Sequence, residues 1–176
     1  DYGALNSMRD LKAQIQNDVN KRGIQENIKL GRGGIRKVEF IAQVYQLIRG
    51  GQDKTLRLKS LLPTLALLET KQLLSKEGVK ALSEAYEFLR NLEHRLQYME
   101  DMQTQELPKT DEGKFRVAQS MQYQDWNAFY KDLEIHRANV ELYFDEVFKE
   151  SIKEEDSEEE ESEEEESDSE SEEFEE

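Results

Sequence analysis

The chain has 176 residues, with 24 Lys and Arg against 40 Asp and Glu, no cysteine, and a formal net charge of −16 at pH 7. That length suits one globular unit, and the lack of cysteine excludes disulfide staples and thiolate metal sites. The charge is uneven: 17 of the acids follow Glu150, against one of the basic residues, which leaves 23 of each sign before it.

The segment SIKEEDSEEEESEEEESDSESEEFEE thus holds the whole imbalance and almost no apolar residue. With so little to bury against the entropy of ordering, residues 151–176 are expected to be a disordered Glu/Ser-rich tail. Its charge suits basic partners, and its serines are potential phosphorylation sites. The longest nearly apolar run, Leu61 to Leu68, is far short of the roughly 18 residues a spanning helix needs, so no membrane partner is expected. The expected setting is cytoplasmic. The chain begins at Asp1 without a methionine, as a piece of a longer protein would.

Apolar residues recur at three and four rather than at two, which reads as helix from end to end. Leu5, Met8, Leu11, Ile15 and Val19 make one stripe, expected to stop at Gly23. After the glycine turn GRGGIR, the residues Ile35, Val38, Ile41, Ala42, Val44, Tyr45 and Ile48 predict a second helix of about four turns, closed by Gly50 and Gly51. Pro63 fits the first turn of a short helix ending near Gln72, because its missing amide hydrogen would be unpaired there anyway. From Ser75 as N-cap, the series Val79, Leu82, Tyr86, Leu89, Leu92, Leu96, Met99 predicts about seven turns. A loop around Pro108 and a short helix from Glu112 to Ser120 follow. Asp125 then caps a last long helix with Trp126, Phe129, Leu133, Val140, Phe144 and Val147 on its buried side. The fold class expected is all-α: an antiparallel up-and-down four-helix bundle with additional short helices, followed by the disordered acidic tail.

Two groups of residues are candidates for function. A helix start offers unpaired amide hydrogens, so Arg32, Gly33, Gly34, Arg36 and Glu39 read either as an anion-binding or domain-interface turn or as a structural helix start. The turn matches neither the G-x-G-x-x-G fingerprint nor the Lys-containing phosphate loop. Glu93, His94, Arg95 and Gln97, with Gln103 and Thr104 in the loop beyond, read as a buried polar network or a docking surface. His94 and His136 lack the Glu-x-x-His spacing of metal-binding bundles, so no metal ligand is expected. No local motif supports nucleophilic catalysis. Scattered arginines on a neutral folded part argue against nucleic acid.

The order of motifs carries a resemblance. DYGALNSMRDLKAQI at Asp1, NIKLGRGGIRKVEFIAQVYQLIRGG at Asn27, AYEFLRNLEHRLQ at Ala85 and DMQTQELP at Asp101 together resemble the helical domain of the bacterial glutamine synthetase adenylyltransferase family, the bifunctional adenylyltransferase and adenylyl-removing enzymes. A related helical domain accompanies the uridylyltransferase of the PII-type signal protein. The resemblance runs from Asp1 to about Phe148 and places the chain in the adenylyl-removing half. It departs from the family pattern at Lys37, where an acidic residue is usual, and at Gln105, where a histidine is usual.

What the resemblance implies is a division into 1–30, a lead-in helix and linker from an absent nucleotidyltransferase domain; 31–150, the helical bundle; and 151–176, the tail. The intact enzyme would transfer AMP from ATP to a tyrosine of glutamine synthetase and remove it by phosphorolysis, under control of glutamine and the PII-type protein. That chemistry needs a Gly-Ser turn and an Asp-x-Asp pair for magnesium, and this sequence has neither. The expectation is therefore no catalytic residue and no cofactor in this chain, with ATP and Mg2+ used by the intact enzyme. Its partners would be glutamine synthetase, the PII-type protein and the enzyme's own nucleotidyltransferase domains, with Arg36 and Glu39 facing the catalytic domain. The alternative is a free-standing helical interaction module whose acidic tail binds basic partners.

Overall fold

The computed structural model describes the backbone of residues 2–20, 24–100 and 105–172, and their side chains up to Lys149 apart from Tyr2, Ala4, Leu5, Asp18, Val19 and Glu100. Among the described residues six α-helices follow in order: α1 (Tyr2–Asn20), α2 (Ile35–Arg49), α3 (Leu61–Thr70), α4 (Lys76–Glu100), α5 (Asp111–Ser120) and α6 (Trp126–Glu172). One 3-10 turn, Lys54–Leu56, lies between α2 and α3. Among the described residues no strand occurs, only an isolated antiparallel bridge between Asn27 and Glu106. The all-helical class implied by the three-and-four spacing is the one adopted. The expected stop at Gly23 lies outside the described residues.

Short polar side chains set the helix starts. Ser75 Oγ accepts from the Gly78 amide at 3.0 Å, Thr110 Oγ1 from Gly113 at 3.1 Å, and Asp125 Oδ1 from Ala128 at 2.8 Å. Each satisfies a first-turn donor that has no partner inside the helix. The ends of α3 and α5 share another device. Gln72 and Gln122 take positive φ, 59° and 66°, and the following amides of Leu73 and Tyr123 donate back to Leu68 and Ala118 at 2.9 Å. This is the left-handed helix stop usually built on glycine, here made by glutamine at a cost of about 1 kcal/mol each.

The helical backbone of α6 runs on into the acidic segment. It continues through Glu172, within the 151–176 expected to be disordered, and residues 173–176 lie outside the described residues. Glutamate is a strong helix former in the backbone sense, and neither Gly nor Pro occurs between Trp126 and Glu172 to break the run.

Two apolar cores are stacked along the long helices. Met8 and Ile15 of α1, Val38, Phe40, Ile41 and Val44 of α2, Leu65 and Leu68 of α3, Val79 and Leu82 of α4 and Val140, Phe144 and Val147 of α6 share the first. Ile28 and Ile35, Leu89, Leu92 and Leu96 of α4, Val117 of α5 and Phe129 and Leu133 of α6 share the second. Helices α4 and α6 pack on each other and contribute to both, and α2 packs on both of them. The lead-in helix is part of this packing through Met8 and Ile15.

Phe144, wholly buried against Phe40 and Phe148 with ring centroids at 5.8 and 4.9 Å, is one of the two phenylalanines by which α6 anchors the first core. Urea unfolding of Phe144→Ala is expected to show a loss of about 3–5 kcal/mol. The same truncation at the half-exposed Leu142 should stay within about 0.5 kcal/mol of the parent.

Candidate functional site

Between Leu133 and Val140, where α6 passes from one core to the other, the buried residue is an arginine. Arg137 has 0% of its surface exposed. On the same face, at spacings of three and four, stand Glu134 and Glu141. Opposite them lies the turn from Ile24 to Gly34, which the glycines allow to come close. Gly33 has φ +58°, and a Cβ on it would sit 2.5 Å from the Cα and the carbonyl oxygen of Arg137. Only glycine fits both the left-handed conformation and that approach. A Cβ at Gly31 would likewise run into the carbonyl oxygens of Ile24, Gln25 and Asn27.

Charge fills the seam so formed. Arg137 Nη1 donates to Glu134 Oε1 at 3.0 Å and to Glu26 Oε2 at 3.3 Å, while Nη2 donates to the Glu26 carbonyl at 3.4 Å. Its Nε has no partner among the described residues. Arg32 pairs with the other oxygen of Glu134. Glu141 accepts from the Gly33 amide at 2.6 Å and from Lys37 Nζ at 2.6 and 2.8 Å. The buried Lys37 ammonium also lies 4.8 Å from the centre of the Phe144 ring. Burial raises the pKa of Glu134, but the hydrogen bonds from Arg32 and Arg137 outweigh it and hold the carboxyl below its ordinary 4.5.

The amides at the start of α2 are therefore engaged within the chain. Gly34, Ile35, Arg36 and Lys37 donate to the carbonyls of Gly31, Ile28, Lys29 and Gly34 at 3.0–3.2 Å, and Gly33 donates to a carboxylate of α6. Glu141 accepts from the Gly33 amide just ahead of the helix start and from the Lys37 ammonium on its first turn. Gly34 is the N-cap residue. Arg36 is half-buried, and Glu39, also half-buried, lines a cleft with Gln43, Lys59, Ser60 and Tyr86. A second, polar cleft beside the seam is lined by Gln16, Asn20, Gln25, Arg32, Lys37 and Glu141.

The second candidate group divides. Glu93, 3% exposed, accepts from Arg90 Nη1 at 2.5 Å and from Gln105 Nε2 at 2.8 Å. The Gln105 carbonyl accepts from the Ile28 amide at 2.9 Å, which ties this network to the glycine turn. His94 and Arg95 face solvent, Gln97 is half-buried, and Gln103 and Thr104 lie outside the described residues. Both departures from the expected family pattern have work here: Lys37 pairs with Glu141, and Gln105 caps Glu93. Among the described residues no group of three His, Cys, Asp or Glu is placed to hold a metal ion, and no helix is long and apolar enough to cross a membrane.

Sequence reading missed Glu26, Glu134, Arg137 and Glu141. One signal was present: the apolar series of α6 skips a turn between Leu133 and Val140, and Arg137 fills the gap. His136, the neighbouring residue, presses its ring against Phe88 at 4.5 Å with a buried, unpartnered Nδ1.

A family model described as GlnD PII-uridylyltransferase matches residues 9–148, which takes in the glycine turn, the Glu93 network and the α6 seam. The chain belongs to this family. Within the GlnD PII-uridylyltransferase family, the matched region ends before the acidic segment. Curated relatives that match the same region bear a different name. The chain is 51% identical over 148 residues to the bifunctional glutamine synthetase adenylyltransferase/adenylyl-removing enzyme of Chromobacterium violaceum, covering 84% of this chain and 17% of that protein. Against the proteins of the same name from Neisseria meningitidis serogroup B and Nitrosomonas eutropha, identity is 48% over 150 and 47% over 148 residues. Those matches cover 85% and 84% of this chain and 17% and 16% of the relatives, so the chain spans about a sixth of their length.

Two measurements probe the seam. Gly33→Ala combines a strained φ with a backbone clash, and is expected to lose about 3 kcal/mol in urea unfolding, far beyond the usual Gly-to-Ala change. For His136, burial lowers the pKa below 6.5 despite the opposing pull of Asp132 and Glu84. Its contribution is thus complete above pH 6.5 and is lost as pH falls from there through the lower folded value. The stability of the parent should drop over that window more steeply than that of His136→Gln, as read from urea midpoints at successive pH values.

Proposed function

We propose that this chain is the helical, non-catalytic part of an enzyme that adenylylates and deadenylylates glutamine synthetase in nitrogen regulation. One observation carries the reading: 47–51% identity over 148 residues to relatives that bear that name. In this reading the helices form a bundle that packs on a nucleotidyltransferase core elsewhere in the polypeptide, in the cytoplasm. That core holds ATP and Mg2+. Each carboxylate of the seam is already paired with a cation or an amide, so the donor set here does not fit a magnesium ion.

The chain's own contribution is positional. Glu141 and Lys37 fix the start of α2 against α6, and this sets where Arg36 and Glu39 stand on the first turns of the helix. From there Arg36 faces the catalytic domain and helps hold the phosphate or the adenylylated protein at the boundary. Glutamine synthetase and the PII-type protein are the macromolecular partners, and the bundle helps admit or recognise them.

The reading is tested in the intact polypeptide that carries this chain, by following phosphate-dependent release of AMP from adenylylated glutamine synthetase. No release would overturn the enzyme assignment. Arg36→Ala is expected to lower kcat/KM of that reaction about 10-fold, or about 1.4 kcal/mol, with thermal stability kept. Unchanged kinetics would remove Arg36 from the boundary. Deleting 151–176 should leave the reaction intact; its loss would favour capture of a basic partner by the acidic segment.

A further inference from the structure

The outer face of α6 carries a seam of its own. Ala128, Lys131, Ile135, Ala138, Leu142, Asp145 and Lys149 follow one another at alternating steps of three and four, and all are exposed. Ile135 and Leu142, at 50% and 51% exposure, are large apolar side chains one heptad apart with alanine between them. This is the spacing of the contact positions of a coiled coil, on the side of the helix turned away from both cores.

The pattern is also self-complementary. With Ala138 at the centre of a two-fold axis and a second α6 running the opposite way, Ile135 meets Leu142 of the other copy and Lys131 meets Asp145. A small residue at the crossing lets the backbones approach, and Lys131 and Asp145 form an opposite-charge pair twice over by symmetry, while Lys149 falls opposite Ala128. Running the same way, the two helices would set Lys131 on Lys131 and Asp145 on Asp145. They would also bring the two acidic segments side by side, with 14 acids on each copy between Ser151 and Glu172, where the helical backbone ends. Like charges at that density repel, so only the antiparallel arrangement is open.

We infer that this face is an antiparallel self-association surface, on which a second copy of the chain seats its own Ile135, Ala138 and Leu142. The inference goes beyond the enzymatic reading and does not rest on it. The contact is short, three heptads with two large apolar residues a side, so the association is weak and is set by the flanking charges.

Sedimentation equilibrium on the full chain, taken up to about 1 mM, tests it at the weak end of the affinity scale. The apparent mass is expected to climb from 20.7 kDa toward twice that value. Leu142→Lys should hold the mass at the monomer value with helical circular dichroism unchanged. Lys131→Glu alone should weaken association about 10-fold, and so should Asp145→Lys, whereas the double swap should restore it. Monomer mass throughout would overturn the inference and leave this face to another part of the longer polypeptide. Dimer mass unaffected by Leu142→Lys, or not restored in the double swap, would overturn it as well.

Discussion

The turn before α2 has to touch the backbone of α6. At Gly33 the two chains come closer than any side chain permits, and the rest of the seam follows from that approach. Because the backbones meet, the Gly33 amide reaches Glu141, Lys37 on the next turn reaches the same carboxylate, and Glu26 and Arg32 flank Arg137 and Glu134. A desolvated amide or charge is costly without a partner, so close approach and ion pairing are one requirement seen twice. The turn joins α1 to α2, and its lead-in residues are bonded in turn to the loop after α4. The turn thus holds the start of α2 and the loop after α4 against the middle of α6.

Electrostatics and apolar packing divide the molecule rather than mix in it. Each core is closed by leucine, isoleucine, valine and phenylalanine, and the charged layer lies where α6 crosses from one to the other. Lys37 belongs to both worlds, with its stem among the apolar residues of α2 and its ammonium between a carboxylate and the Phe144 ring. The family pattern expected an acid at this position. Here a base stands there, and the acid that answers it is supplied by α6.

Much of the fold was legible in the sequence. The apolar stripes at Ile35 to Ile48, Val79 to Met99 and Phe129 to Val147 placed α2, α4 and the folded part of α6, because a helix that buries one face must repeat at that period. Ser75 and Asp125 marked their starts because capping is a local bond. The seam was legible only in part. Its glycines were visible as a tight entry, but Glu26, Arg32, Gly33 and Lys37 reach Glu134, Arg137 and Glu141 across more than a hundred residues, and a pairing at that distance leaves no local period. Glu93, His94 and Arg95 were read as one group because they are consecutive, whereas a helix turns consecutive residues to different sides. For the acidic segment, composition argues against packing but says little against an isolated helical backbone.

Arg137 has a further consequence for how α6 lies along α4. The stretch of α6 from Phe129 to Phe148, with leucine, valine and phenylalanine spaced down one face, has several near-equivalent alignments, each a slip of one turn from the next. Apolar residues alone distinguish them poorly, because one large aliphatic side chain fills another's place at modest cost. A slip in either direction carries the guanidinium of Arg137 into leucine or phenylalanine packing and strips Glu134 and Glu141 of their cations. Only one register keeps every charge paired, so the polar layer sets the alignment of two otherwise interchangeable apolar faces.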